Sequence, residues 1–115
     1  KKYNILILGA TFKSNVDDIR NSKVFDVMNL LIKDNFKLHV FDPIADINES
    51  NKYHKYFIKN PLKNFYDIIL ISVSHNLFLD IGINRIRKFA KKNYFILNLT
   101  YKFKDKKEKI VYFNL

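Results

Sequence analysis

Residues 9–22, GATFKSNVDDIRNS, form the most informative stretch of the sequence. Lys13 and Arg20 are cations in a polar loop that leads into a helix N-terminus, and the free backbone donors of such an N-terminus favour an anion. The arrangement suits a phosphate group. A cation beside Asp17 and Asp18 is equally half of a surface ion pair worth little, and the residues leave both readings open. The loop is not a dinucleotide fingerprint. G-x-G-x-x-G needs three glycines for close backbone approach to a pyrophosphate, whereas this loop has only Gly9 and is too long for the tight turn. Asp17 and Asp18 are adjacent, so on an extended backbone they face opposite ways, which argues against a paired-carboxylate mechanism.

Three further sites invite chemistry. Asp42, followed by Pro43, ends a predicted strand where a dinucleotide-binding domain places the acid that binds an adenosine ribose. Without the glycine loop, Asp42-Pro43 reads better as turn chemistry. His75 lies among Ser72, Ser74 and Asn76, just after another predicted strand, and a lone histidine there is expected to organise the loop through hydrogen bonds rather than act as an acid or base. His39 and His54 have no paired ligand, no spacing suggests a metal, and no residue is assigned a catalytic role. The chain has no cysteine, which excludes a disulfide scaffold, a thiolate zinc site and a cysteine nucleophile within these residues. Residues 101–109, YKFKDKKEK, alternate aromatic and cationic side chains as a single-strand nucleic-acid binder does, but read more simply as a solvated turn.

The elements that must position these residues follow from hydrophobic patterning. Apolar runs at residues 3–8, 38–41, 68–73 and 94–99 predict strands buried on both faces. Ser22 is a candidate N-cap for a helix in which Val24, Val27, Met28 and Leu31 recur at i, i+3, i+4 and i+7, with Asp26 and Lys33 matched to the dipole and Asn35 as a left-handed stop. A second helix is expected over residues 83–92, with Ile83, Ile86 and Ala90 inward. Residues 44–60 read mostly as loop, residues 61–65 as one helical turn, the loops after the strands include 74–78, and residues 110–113 add a short edge strand. This alternation predicts an α/β fold: a mostly parallel sheet covered on both faces in three layers, connected by right-handed crossovers. Ligands gather at the carboxyl ends of such strands, near the switch in strand order.

Composition narrows the classes further. The +10 formal charge comes from 21 Lys+Arg against 11 Asp+Glu. Lys (18), Ile (15), Asn (14), Phe (11) and Tyr (7) share A/T-rich codons and fill more than half of the 115 residues, whereas Arg, which forks onto phosphate and guanine, occurs three times. The charge therefore reads as compositional bias over a solvated surface, and no nucleic-acid partner is expected. No run approaches the roughly 20 apolar residues of a membrane span and no charged leader precedes a cleavable apolar run, so a cytoplasmic protein without membrane contact is expected. Residues 1–115 are expected to form one domain, and a chain beginning at Lys1 suggests a fragment of a larger protein.

Taken in order, GATFKSNVDDIRNSKVFDVMNLL at residues 9–31, VFDP at 40–43, YDIILISVSHNLF at 66–78 and the closing strand at 94–99 resemble the C-terminal domain of the UDP-glucose/GDP-mannose dehydrogenase family. The F-K pair with D-x-R-x-S is the specific part, and R-N-S followed by K-V is most similar to the branch that oxidises UDP-N-acetylhexosamines. The resemblance implies a Rossmann-like domain that helps bind a UDP-sugar. Its parent would be an NAD-dependent 6-dehydrogenase that oxidises the sugar C6 alcohol to a carboxylate, a step in polysaccharide precursor synthesis. The resemblance further implies an N-terminal domain that holds most of the NAD, a central dimerisation domain carrying the cysteine nucleophile, and a homo-oligomeric parent. This chain, lacking that cysteine, would be inactive alone.

Position by position, the resemblance places Phe12 and Lys13 at the substrate and Arg20 toward NAD, with Asp18 and Ser22 shaping the loop and capping the helix. One motif departs. After the fourth strand the family commonly has D-x-R or D-x-K, where this chain has Asn98-Leu99-Thr100, with Lys102 two positions on. A charged hydrogen bond of that kind is worth roughly 1.5–3 kcal/mol, about tenfold or more in affinity. Two readings follow: a substrate site compensated by the surrounding loop, or a degenerate, non-catalytic nucleotide-binding module.

Overall fold

The computed structural model describes residues 3–100 and the strand at residues 110–112. Five strands, β1 (Asn4–Leu8), β2 (Lys37–Phe41), β3 (Tyr66–Ile71), β4 (Ala90–Asn98) and β5 (Ile110–Tyr112), pair in the order β2-β1-β3-β4-β5, every pair parallel. Helix α1 (Val24–Lys33) follows β1, and α2 (Asn76–Ile81) and α3 (Ile83–Arg87) lie between β3 and β4. The chain leaves β1 toward β2 on one side and returns to β3 on the other, so the switch in strand order falls between β1 and β3.

Alternation along the strands divides the core in two. Leu6 and Leu8 of β1, with Ile69, Ile71 and Ile96, face Phe78 of α2 and Ile86 of α3. Ile5 and Ile7, with Leu38, Val40 and Leu70, face Val24 and Met28 of α1. The expected apolar stripe of α1 is the stripe that packs, Val27 and Leu31 joining Val24 and Met28. Its end is also as expected: Asn35 has φ +65°, its N–H bonds to Ile32 O at 3.0 Å, and Phe36 N–H reaches back to Leu31 O at 3.0 Å, closing the last turn.

The start of α1 differs. Lys23 rather than Ser22 occupies the cap position and no side chain bonds there, because Asn21 takes a left-handed φ of +62° and delays the helix. The crossover from β2 to β3 holds a 3-10 turn at His54–Tyr56, and residues 61–65 form no helical turn, with Asn64 at φ +52°. Phe57 bridges to Val40, and Ile58 N–H bonds to Val40 O at 2.9 Å, which covers part of the outer edge of β2.

The third crossover departs most. The expected loop at 74–78 gives way to α2 from Asn76, and the expected helix at 83–92 stops at Arg87. β4 begins at Ala90 opposite Tyr66, bulges through residues 91–94 and rejoins with Phe95 opposite Ile68. With α1 over β1 and β2, and α2–α3 on the opposite face, the α1 side of β4 is only partly covered. Phe95, in the middle of an inner strand, is 58% exposed.

Candidate functional site

Three loops meet at the carboxyl ends of β1, β2 and β3. The first begins at Gly9, whose φ of +92° no other residue adopts easily. A Cβ added there would lie 2.7 Å from Val73 Cβ and 2.9 Å from Val73 N. The close approach that glycine permits is taken by the chain after β3, which leaves no room over Gly9 for a pyrophosphate.

Asp42, at the end of β2, is buried and its carboxylate is fully engaged. Oδ2 accepts from Ala10 N–H at 2.7 Å and from His75 Nε2 at 3.0 Å, while Oδ1 accepts from Ile44 N–H at 3.0 Å and Ala45 N–H at 3.1 Å. No lone pair is left for a ribose hydroxyl, so Asp42 does turn chemistry, as the sequence suggests. His75 is fully buried, and its Nδ1 accepts Asn15 N–H at 2.9 Å, which fixes Nε2 as the protonated nitrogen. That proton is shared between Asp42 Oδ2 and Thr11 Oγ1, 3.3 Å away, whose own hydroxyl donates to Lys13 O at 2.8 Å. With both ring nitrogens occupied, His75 organises the loop and has no contact with solvent.

The loop after β1 is tied down between these anchors. Phe12 N–H bonds to Asp18 O at 2.7 Å, Ser14 Oγ lies 3.1 Å from Ser74 Oγ, and Asn15, at φ +62°, accepts Asn76 N–H on its Oδ1 at 2.8 Å. Phe12 projects outward, 57% exposed, and lines a cleft of about 230 Å³ between the first turn of α1 and the ends of β1, β3 and β4, together with Thr11, Lys23 and Leu99. Lys13, the next residue in the chain, is exposed, does not line this cleft and makes no ion pair among the described residues.

Arg20 is placed differently. Its Nε and Nη2 donate to the two oxygens of Asp18 at 3.0 and 2.9 Å, and its backbone N–H adds a bond to Asp18 Oδ1 at 2.8 Å. The guanidinium holds the Asp18 carboxyl below the usual carboxylate range, and the carboxylate raises Arg20 in return. The pair borders a separate hollow of about 340 Å³ with Asp17 and Asp46. The structure thus puts Phe12 on the cleft with Lys13 next to it, and sets Arg20 apart, 84% exposed and forked onto Asp18. His39 donates no ligand cluster; its Nδ1 lies 2.6 Å from Tyr66 Oη, and no group of three metal-binding side chains occurs among the described residues.

Sequence reading misses Thr11, Ser14, Asn15 and Ser74 as partners in this network. Their types, short polar side chains in loops, are the only signal, since the contacts join residues about sixty positions apart. A larger hollow, about 1030 Å³, opens at the amino ends of the strands between Tyr3, Phe36 and Phe95, away from all three loops.

Residues 6–104 match the UDP-glucose/GDP-mannose dehydrogenase family, UDP binding domain. The chain belongs to that family. The UDP-N-acetyl-D-glucosamine 6-dehydrogenase of Salmonella typhi is 36% identical over 99 residues, covering 85% of this chain and 23% of the relative. The enzyme of the same name from Pseudomonas aeruginosa is 35% identical over 100 residues, covering 84% and 23%. These likenesses agree with the expected resemblance to the UDP-N-acetylhexosamine branch. Among solved structures, a ternary complex of GDP-mannose dehydrogenase from Pseudomonas aeruginosa superposes with a TM-score of 0.72 at 18% identity, over 97% of this chain and 28% of that one. The UDP-N-acetyl-mannosamine dehydrogenase Cap5O from Staphylococcus aureus gives 0.70 at 23% identity, over 97% and 25%. The α/β fold is therefore that of the family, and this UDP binding domain spans about a quarter of the length of its relatives.

Where the family commonly carries a cation after the fourth strand, this UDP binding domain closes a turn. Buried Asn98 accepts on Oδ1 from Thr100 N–H at 2.9 Å and from Thr100 Oγ1 at 2.7 Å. Lys102 and the 101–109 segment lie outside the described residues.

Proposed function

We propose that this chain is the C-terminal nucleotide-sugar-binding domain of an NAD-dependent UDP-sugar 6-dehydrogenase, which oxidises the C6 alcohol of a UDP-hexose or UDP-N-acetylhexosamine to a uronate for polysaccharide precursors. Phe12 and Lys13 meet the UDP-sugar. The observation that carries this reading is the tethered loop of residues 10–15, which sets the exposed Phe12 ring on the cleft at the strand switch, with Lys13 next in the chain, exposed and without an ion pair among the described residues. An exposed ammonium with no carboxylate partner is available to a diphosphate.

NAD would supply the hydride acceptor, and the described residues do not build its cradle: Val73 fills the space over Gly9, and Asp42 has no free acceptor. As the family resemblance implies, NAD is held mainly by an N-terminal domain, with Arg20 reaching toward it through the guanidinium N–H groups that Asp18 leaves over. By the same resemblance, the nucleophilic cysteine belongs to a central domain, and this chain, which has no cysteine, turns over no substrate alone. The partly covered α1 side of β4, with Phe95 exposed, offers those domains an apolar surface. A homo-oligomeric parent in the cytoplasm completes the reading; among the described residues no helix is long and apolar enough to cross a membrane.

Steady-state kinetics of the full-length parent test the assignment. Lys13→Ala raises the KM for UDP-sugar about tenfold, and Arg20→Ala raises the KM for NAD with the sugar KM little changed. Normal kinetics in both would remove the site assignment. A second reading, a non-catalytic nucleotide-binding module, draws on the turn at Asn98 and Thr100, and is favoured if the full-length parent binds UDP but reduces no NAD.

A further inference from the structure

We infer that Asp42 and His75 act as a positioning pair that sets the conformation of residues 10–15 and so aims Phe12 and Lys13 at the nucleotide sugar; the inference rests on the reading of Phe12 and Lys13 above. Both side chains are fully buried, and their polar atoms are spent on the backbone of the loops after β1 and β2, on the Thr11 hydroxyl and on each other. Asp42 holds Ala10 N–H and His75 holds Asn15 N–H, so the pair clamps both ends of a six-residue span. Inside the span, Thr11 fixes the Lys13 carbonyl and Ser14 meets Ser74. The two side chains left outside the clamp are Phe12 and Lys13.

A buried carboxylate and imidazole do not strengthen a core over apolar residues of similar size. What they supply is direction: each of their bonds ends on a named backbone or hydroxyl group of a loop at the site. A loop ordered before binding spares the ligand the entropy of ordering it, so the benefit appears in affinity for the ligand that the loop contacts. The pair is enclosed and touches no reacting atom, which makes both members positioning residues.

The test uses the full-length dehydrogenase with His75→Ala, His75→Asn, Lys13→Ala and the double variant His75→Asn/Lys13→Ala. His75→Asn retains an acceptor near the place of Nδ1, so it keeps the Asn15 bond and loses the reach to Asp42. The expected result is a KM for UDP-sugar raised about tenfold in His75→Ala and less in His75→Asn, with kcat and the KM for NAD within about twofold. In the double variant, His75→Asn adds less to the effect of Lys13→Ala than it does alone, because part of the clamp's effect runs through Lys13. Unchanged sugar KM in both histidine variants, an equal rise for sugar and NAD, full additivity in the double variant, or failure of both histidine variants to fold would each overturn the inference. If Lys13→Ala raises the sugar KM while the histidine variants do not, the clamp alone is wrong. If Lys13→Ala has no effect, the reading of the loop as the nucleotide-sugar site fails and the clamp falls with it.

Discussion

Arg20 turns its guanidinium back onto Asp18, one donor to each carboxylate oxygen, whereas Lys13, seven positions earlier in the same loop, has no such partner among the described residues. Of the two readings that the sequence leaves open, Arg20 makes the surface ion pair, and Lys13 makes none among the described residues. The fork leaves Arg20 with unused N–H groups, so an ion pair within the loop and a contact outside it are compatible. His39 Nδ1 lies 2.6 Å from Tyr66 Oη and the ring stacks on Phe65 at 5.8 Å, and burial, helped by Lys37, lowers its pKa below the ordinary 6.5. Between the folded pKa and 6.5 the unfolded chain binds more protons, so stability is lost as pH falls through that window and is constant above it. Melting temperatures measured from pH 7.5 to 5 should fall below about pH 6.5, and His39→Gln should remove most of that slope; an equal slope in the variant would assign it elsewhere.

Among the elements, α1 and β1 are the ones whose sequence and structure agree closely, and the reason is physical: their patterns are local. Val24, Val27, Met28 and Leu31 announce a stripe by spacing alone, and Asn35 stops the helix with its own backbone conformation. Helix α2 could not be read this way, because NLFLDI is six residues long and apolar on nearly every side, so no period emerges. The start of β4 misleads for the opposite reason. Lys91 and Lys92 look like the cationic end of a helix, but they lie in a bulge that exists only because Ala90 and Phe95 pair with β3. The helix cap at Ser22 fails because a left-handed Asn21 precedes it. Since α1 holds one whole face of β1, Met28→Ala should cost about 2–5 kcal/mol and lower the melting temperature by about 10 °C or more, while Leu30→Ala, on the exposed side, should change it little. Equal effects of the two would mean that α1 is not docked by the stripe described.

For the whole molecule, the site is assembled from segments far apart in the chain. The motif at residues 9–22 could be recognised in the sequence, but the Asp42–His75 clamp joins positions 33 residues apart and closes over Asn15, 60 residues from His75, so only the parallel sheet brings it into being. The +10 charge is likewise a property of the entire chain, and it says less about function than the single ammonium of Lys13. The fold provides a cleft at the strand switch, a tethered loop over it, and an apolar strip around Phe95 that suits a domain within a longer polypeptide. The central claim is that the cleft binds the UDP portion of a nucleotide sugar. The most direct measurement is an NMR titration of the 115-residue chain with UDP at low salt. The account predicts saturable amide shifts confined to residues 10–23, 72–75 and 99–100, and their loss in Lys13→Ala. No shifts at millimolar UDP, or shifts centred on Tyr3 and Phe95 at the opposite end of the sheet, would contradict it.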